Sequence, residues 1–107
     1  MIELDRDNYQ DETGQSGLPV LVDFWGDKCR PCMALMPAVE KLEEEYSGRL
    51  KVAKVNAYQN RMLCARLRVL GLPTYIIYKG GDEVTRITGE ETTVAEIKAA
   101  VEAALAE

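Results

Sequence analysis

The segment VDFWGDKCRPCMALMP, Val22–Pro37, contains two of the three cysteines of the chain, Cys29 and Cys32, with two residues between them. It begins inside an apolar run, Pro19–Trp25, that contains a single acidic residue, Asp23. A short, nearly continuous apolar run is typical of a strand in the middle of a sheet, covered on both faces. The segment therefore predicts a buried strand that leads to a pair of closely spaced thiols.

Helical and strand patterns alternate through the rest of the chain. Apolar residues three or four apart predict helices at Asp7–Thr13, at Cys32–Tyr46, at Asn60–Arg68 and from Thr93 onward. Further strands are predicted at Ile2–Leu4, Lys51–Tyr58, Thr74–Lys79 and Glu83–Gly89, with a hairpin turn at Gly80 and Gly81. This order, β-α-β-α-β-α-β-β-α, predicts an α/β fold with a central mixed sheet of four to five strands and helices on both faces.

The last helix has a clear start signal in the sequence. The Thr93 hydroxyl and the Glu96 carboxylate have the spacing of a capping box, in which each side chain bonds the backbone N–H of the other residue. The apolar spacing that follows predicts that the helix buries Val94, Ile97, Val101 and Leu105.

Length and composition indicate one domain over residues 1–107, expected to be a monomer. The net charge is −5, with no basic stripe among aromatic residues, so neither nucleic acid nor an anionic membrane is an expected partner. The first 17 residues are polar and acidic, without the apolar core of a signal peptide, so we expect the protein in the cytoplasm.

Three explanations of Cys29 and Cys32 are open at this point: metal ligands, a structural disulfide, or a redox-active pair. A structural zinc site needs four ligands, and the chain has no histidine and only one further cysteine, Cys64. A metal site with three thiolate ligands and a carboxylate or water as the fourth ligand remains an alternative. Cys64 lies on the apolar face of the third predicted helix and is expected in the core.

The redox explanation fits the local sequence best. Cys29 precedes the long helix, and Pro31 suits a first helical turn, where a missing N–H costs nothing. Unpaired N–H groups there favour a thiolate, so Cys29 would attack a substrate disulfide and Cys32 would resolve the mixed disulfide. Asp23 in an apolar strand would have a raised pKa and accept a proton, unless it faces solvent on an edge strand.

The motif VDFWGDKCRPC, with LPT at Leu72–Thr74 and the Gly80–Gly81 hairpin behind it, resembles the thioredoxin family. The match runs from Leu18 to the last helix. The resemblance implies a sheet flanked by helices, with the C-x-x-C pair at the start of the second helix. It also implies a cis peptide between Leu72 and Pro73.

Site residues follow from the same resemblance. It implies that Pro73 packs against the dithiol and that the backbone beside it, Leu70–Thr74 with Gly71, pairs with a bound substrate strand. Asp23 matches the buried acid of the family and Lys54 the lysine near it. Trp25 matches the first tryptophan of the family motif and Gly89 a glycine of the substrate groove.

The activity implied by the resemblance is reduction of disulfides in client proteins. The Cys29–Cys32 pair carries the two electrons, so no bound cofactor is needed. The electron donor would be a thioredoxin-reductase-type flavoenzyme or a ferredoxin-linked reductase. The alternative is a thioredoxin-like adaptor that binds one partner without turnover.

The chain departs from the family motif W-C-G-P-C-K at the positions of Lys28 and Arg30, where the family has tryptophan and glycine. These cations either stabilise the Cys29 thiolate and favour acidic clients, or are solvated surface charges. An exposed charge about 4 Å away is worth roughly 1 kcal/mol in water, so we expect a potential only about 30 mV more oxidising. Leu70 and Leu72 are expected to add apolar contacts to the rim.

Overall fold

The computed structural model describes residues 1–106. Its strands are β1 (Ile2–Leu4), β2 (Val20–Trp25), β3 (Lys51–Asn56), β4 (Thr74–Lys79) and β5 (Asp82–Thr88). Its helices are α1 (Tyr9–Gly14), α2 (Arg30–Glu45), α3 (Arg61–Arg66) and α4 (Val94–Leu105), with a short 3-10 turn at Ala57–Gln59 between β3 and α3. The predicted order of elements, including the opening strand, is confirmed.

The five strands form one mixed sheet in the order β1-β3-β2-β4-β5. β3 runs parallel to both β1 and β2, whereas β4 runs antiparallel to β2 and to β5. β2 therefore lies in the middle of the sheet, and its first five residues are buried. This position explains the continuous apolar run and removes the alternative that Asp23 faces solvent on an edge strand.

Helices cover both faces of the sheet, as predicted. Val22 and Phe24 of β2 belong to the core under α1 and α3, whereas Leu21 belongs to the core under α2 and α4. Side chains of a strand alternate between faces, so Asp23 lies on the same face as Leu21, towards α2. The helical residues that close the two cores are Tyr9, Leu63 and Cys64 on one face, and Val39, Leu42, Ile97 and Val101 on the other.

Several predicted boundaries differ from the structure. β3 ends at Asn56 rather than Tyr58, because the chain enters the 3-10 turn there. α2 begins at Arg30 with Cys29 as its N-cap, in agreement with the predicted helix start, and it ends at Glu45 rather than Tyr46. The capping box of Thr93 and Glu96 is confirmed.

The predicted burial of α4 is confirmed for Ile97 and Val101, in the middle of the helix. Val94 and Leu105, near the two ends of the helix, are half-buried rather than buried. Ala104 is buried instead, because it follows Val101 by three residues and so lies on the same helical face. The expected core position of Cys64 is confirmed, with 7% of its surface exposed.

Gly26 follows β2 directly, and the ring of Tyr58 packs against its backbone. A Cβ atom at Gly26 would lie 2.6 Å from Cζ of Tyr58, closer than real side chains approach. β2 and β3 are parallel, with Trp25 opposite Asn56, so the segments after them leave the sheet at the same edge. Tyr58 is 39% exposed, so a side chain at position 26 would require this ring to move aside towards solvent.

Gly26→Ala is expected to lower the free energy of unfolding by about 1–2 kcal/mol, because the added methyl group overlaps the Tyr58 ring. In a Tyr58→Ala background the same substitution should cost less than about 0.5 kcal/mol. Urea denaturation of the four proteins measures the coupling. Gly17→Ala, where nothing lies within 4 Å of the new methyl group, is the control. Equal costs at Gly26 in the two backgrounds would contradict the account of this contact.

Candidate active site

Cys29 and Cys32 lie at the start of α2 and form a disulfide, with an S–S distance of 2.10 Å and a Cα–Cα distance of 5.3 Å. The N–H of Cys29 donates to the carbonyl oxygen of Gly26 at 3.0 Å, which closes the turn after β2. Cys29 is the N-cap of α2, and its Sγ accepts the N–H of Cys32 at 3.2 Å. Pro31 lies in the first turn, as the sequence predicts.

The two sulfur-bearing residues differ in exposure. Cys29 is partly exposed, whereas Cys32 is 0% exposed beneath the first turn of α2. An incoming molecule therefore reaches Cys29 first. Cys29 also lies at the start of a 16-residue helix. The unpaired N–H groups and the positive end of the helix dipole stabilise negative charge there, so the position of Cys29 favours a thiolate.

Asp23 is buried in β2 directly opposite Lys54 of β3. Both carboxylate oxygens are buried, and neither has a hydrogen-bond partner within residues 1–106. Removal from water raises the pKa of Asp23 to about 7, and the positive charge of Lys54 opposes that rise only in part. The carboxyl group therefore exchanges protons near neutral pH.

Trp25, the last residue of β2, joins this arrangement. The Lys54 ammonium lies 5.6 Å from the centre of the Trp25 ring, a cation–π contact. Trp25 and Asp23 are two residues apart on one strand and so face the same side of the sheet. Three of the predicted site residues are thus brought together at the end of β2.

The loop before β4 forms a second part of the site. The Leu72–Pro73 peptide is cis, as the resemblance implied. The carbonyl oxygen of Pro73 accepts the N–H of Gly89 at 3.0 Å, and the Thr74 hydroxyl donates to the carbonyl oxygen of Gly71 at 2.6 Å. Gly89 has a φ of 126°, which side chains rarely adopt. Packing of Pro73 against the dithiol stays a prediction.

Leu70 is the most exposed large apolar side chain of the loop, with 91% of its surface in solvent, and Leu72 is half-buried. Lys28 and Arg30, on either side of Cys29, are exposed, and neither forms an ion pair with any residue the structure describes. These side chains are exposed, and their contribution to a client-binding rim stays a prediction.

Sequence reasoning missed Tyr58 and Arg61, which line a surface groove beside Lys28. No motif marks them. The available signal is topological: in parallel strands the segments after the carboxyl ends meet at one edge of the sheet. Tyr58 follows β3 by two residues and Lys28 follows β2 by three, so the two segments are neighbours.

No helix within residues 1–106 is long and apolar enough to cross a membrane. The same residues contain no group of three or more His, Cys, Asp or Glu side chains placed to hold a metal ion.

Comparison with known proteins agrees with the geometry. The family model described as Thioredoxin matches residues 1–103. The thioredoxin of Acetoanaerobium sticklandii is 41% identical over 101 residues, which are 94% of this chain and 96% of that protein. The thioredoxin of Peptoclostridium acidaminophilum is 40% identical over 94% of this chain and 92% of its own length.

A more distant relative, thioredoxin 1 of a Nostoc species, is 37% identical over 76% of each chain. Members of the family use a redox-active disulfide without a further cofactor, act on disulfide-containing substrates and are reduced again by a reductase partner. The family match over nearly the whole chain, the mixed sheet and the bonded Cys29–Cys32 pair confirm the predicted fold and chemistry. This chain therefore belongs to the thioredoxin family of protein-disulfide oxidoreductases.

Proposed function

We propose that this chain reduces disulfides in client proteins, with Cys29 as the attacking thiol and Cys32 as the resolving thiol. The observation that carries the proposal is the unequal exposure of the pair: Cys29 is partly exposed and Cys32 is fully buried beside it. A thiol that cannot meet a client directly is suited to an intramolecular second step, where its effective concentration is high.

In the first step, the Cys29 thiolate attacks one sulfur of the client disulfide and forms a mixed disulfide, while the other client sulfur leaves as a thiolate. In the second step, Cys32 loses its proton and attacks Cys29 Sγ, which releases the second client thiolate. The client gains two electrons and the protein is left with the Cys29–Cys32 disulfide. A reductase then returns two electrons and restores the dithiol.

Asp23 is proposed as the group that takes the Cys32 proton. Its side chain lies on the sheet face covered by α2, and its pKa of about 7 lets it accept or release a proton at physiological pH. Lys54 is proposed as a positioning residue, because its positive charge opposite Asp23 favours the carboxylate that the reaction requires.

Client binding is proposed along the loop Leu70–Thr74 and Gly89. The Gly89 N–H holds the Pro73 carbonyl oxygen, the Thr74 hydroxyl holds the Gly71 carbonyl oxygen, and Leu70 offers an apolar contact in solvent. Trp25, Lys28, Arg30 and Pro31 shape the opposite rim. The loop would orient the client disulfide for in-line attack by Cys29.

The electron donor is proposed to be a flavoenzyme of the thioredoxin-reductase type or a ferredoxin-linked reductase. The proposed compartment is the cytoplasm. A protein that works as a reductant must itself be kept reduced, and the cytosol keeps thiols in the reduced state. The protein is proposed to act as a monomer, since one chain contributes both thiols and the buried acid.

Cys29→Ser is expected to abolish reduction of insulin by dithiothreitol above the uncatalysed rate, because the attacking sulfur is gone. Precipitation of the insulin B chain measures the activity. Cys64→Ala is the matched control, since it removes a buried thiol from the opposite face of the sheet and should retain activity within about twofold. A Cys29→Ser variant as active as the parent would make the chain an adaptor rather than a reductase.

Asp23→Asn is expected to slow insulin reduction at pH 7 by about tenfold or more, because the proposed proton acceptor is lost. It should also stabilise the oxidised protein in a pH-dependent way. The folded pKa of about 7 exceeds the ordinary value of 3.8, so the folded wild type binds more protons than the unfolded chain between those values. Its stability therefore falls as pH rises through this range, by up to about 1.4 kcal/mol per pH unit.

Urea denaturation at pH 4, 6 and 8 measures this effect. The stability advantage of Asp23→Asn should grow with pH and reach at most about 4 kcal/mol above pH 7. Asp27→Asn, at an exposed position, is the control and should change the free energy of unfolding by less than about 0.5 kcal/mol. An advantage of the same size at pH 4 and pH 8 would contradict the burial account of Asp23.

The reduction potential is expected between about −270 mV, a general reference value for thioredoxins, and about −180 mV. Trp25 fluorescence, recorded in buffers with a series of ratios of reduced to oxidised glutathione, measures the reduction potential. Replacing Lys28 and Arg30 together by Gln should lower the potential by about 30 mV or less, because two exposed cations stabilise the reduced thiolate only weakly. Lys41→Gln, far along α2, is the control, and a wild-type potential above about −180 mV would show an oxidant instead.

A further inference from the structure

Charge is distributed unevenly along this acidic chain. The net charge is −5, yet residues 57–73 contain three arginines and no acidic residue. Arg61 of this segment lies at the start of α3, and Lys28 and Arg30 flank Cys29. The turn Asp27–Arg30 around Cys29 therefore has one net positive charge on a protein that is negative as a whole.

Two surface grooves adjoin each other between this segment and the active-site turn. One, of about 390 Å³, runs from Asp27 and Lys28 to Tyr58 and Arg61. The other, of about 370 Å³, runs from Tyr58 and Arg61 to the loop Leu70–Leu72. Tyr58 and Arg61 line both grooves, and we name the two together the Tyr58–Arg61 groove.

The groove connects the two parts of the active site. Its first end begins at Lys28, the residue before Cys29, and its second end reaches Leu72, the residue before Pro73. An extended client segment that places its disulfide on Cys29 and lies along the Leu70–Thr74 loop would therefore pass beside this groove. Ala57, Leu70 and Leu72 give the second half of the groove an apolar lining.

The cations in and beside the groove, two of which line it, are available to a ligand. Lys28, Arg30 and Arg61 are exposed and form no ion pair with any side chain in residues 1–106. The Nε of Arg61 donates to the carbonyl oxygen of Tyr58 at 3.4 Å, so the two residues that line both grooves are also joined by a hydrogen bond. Asp27 is the one acidic residue in the lining, where it offsets one of the two lining cations, Lys28 and Arg61, and leaves one net positive charge. Arg30 lies outside the lining, on the other side of Cys29 in the sequence.

We propose that the Tyr58–Arg61 groove binds an acidic segment of the client chain, next to the cysteine that Cys29 attacks. The inference rests on the proposed reductase function and adds the class of client. Charge complementarity carries it: an acidic client is repelled by the chain as a whole and attracted only at this rim. Such a local charge acts mainly on the rate of encounter and on the choice of partner.

The expected size of the effect follows from exposed ion pairs, each of which changes a binding constant by about twofold to fivefold. Two pairs engaged together predict about tenfold higher kcat/KM for an acidic client than for a basic client at low ionic strength. Salt at about 0.5 M should reduce that preference to about twofold, because exposed charges are then screened.

The experiment uses three peptides that share one disulfide and differ only in the residues flanking it, which are Glu, Gln or Lys. Their reduction by the full chain is followed with dithiothreitol as the electron source. Wild type is expected to prefer the Glu peptide to the Lys peptide about tenfold, and Arg61→Glu should bring that ratio to about one. Lys41→Glu makes the same change in net charge away from the groove and should retain most of the preference.

Equal kcat/KM values for the Glu and Lys peptides in wild type would overturn this inference alone, provided that the Gln peptide is reduced. An equal loss of preference in Arg61→Glu and Lys41→Glu would overturn it as well, because the effect would then come from net charge. A chain that reduces none of the three peptides would overturn the proposed function and this inference with it.

Discussion

The position of β2 in the middle of the sheet is the constraint on which the site depends. Both neighbouring strands and both helical layers bury this strand, so the one polar side chain in it, Asp23, is buried with it. The strand ends at Trp25. The turn closed by the hydrogen bond from the Cys29 N–H to the Gly26 carbonyl oxygen places Cys29 at the start of α2. The reactive thiol, the helix start and the buried acid are therefore positioned by one continuous segment.

This arrangement has a cost in stability. A carboxylate whose two oxygens have no partner in residues 1–106 is unfavourable in the folded state, and its pKa is raised to about 7 for that reason. A well-packed apolar residue at this position would make the folded state more stable. The proposed role of Asp23 as proton acceptor for Cys32 would account for this cost, because active sites often sacrifice stability for function.

Much of this could be predicted from the sequence because the relevant signals are local. The apolar run of β2, the spacing of Cys29 and Cys32 and the capping box of Thr93 and Glu96 each indicate their own structure. The contact of Tyr58 with Gly26 could not be predicted, since the two residues are far apart in sequence and Tyr58 belongs to no motif. The burial of Ala104 in place of Leu105 depends likewise on how α4 sits against the sheet, which periodicity alone does not fix.

The central claim is that Cys29 is the accessible thiol and that Cys32 is protected beneath the first helical turn. The most direct test is the order in which the three cysteines of the reduced protein react with iodoacetamide at pH 7, read by peptide mass spectrometry. The account predicts that Cys29 is modified first, with Cys32 and the buried Cys64 far slower. Modification of Cys32 as fast as Cys29 would contradict it.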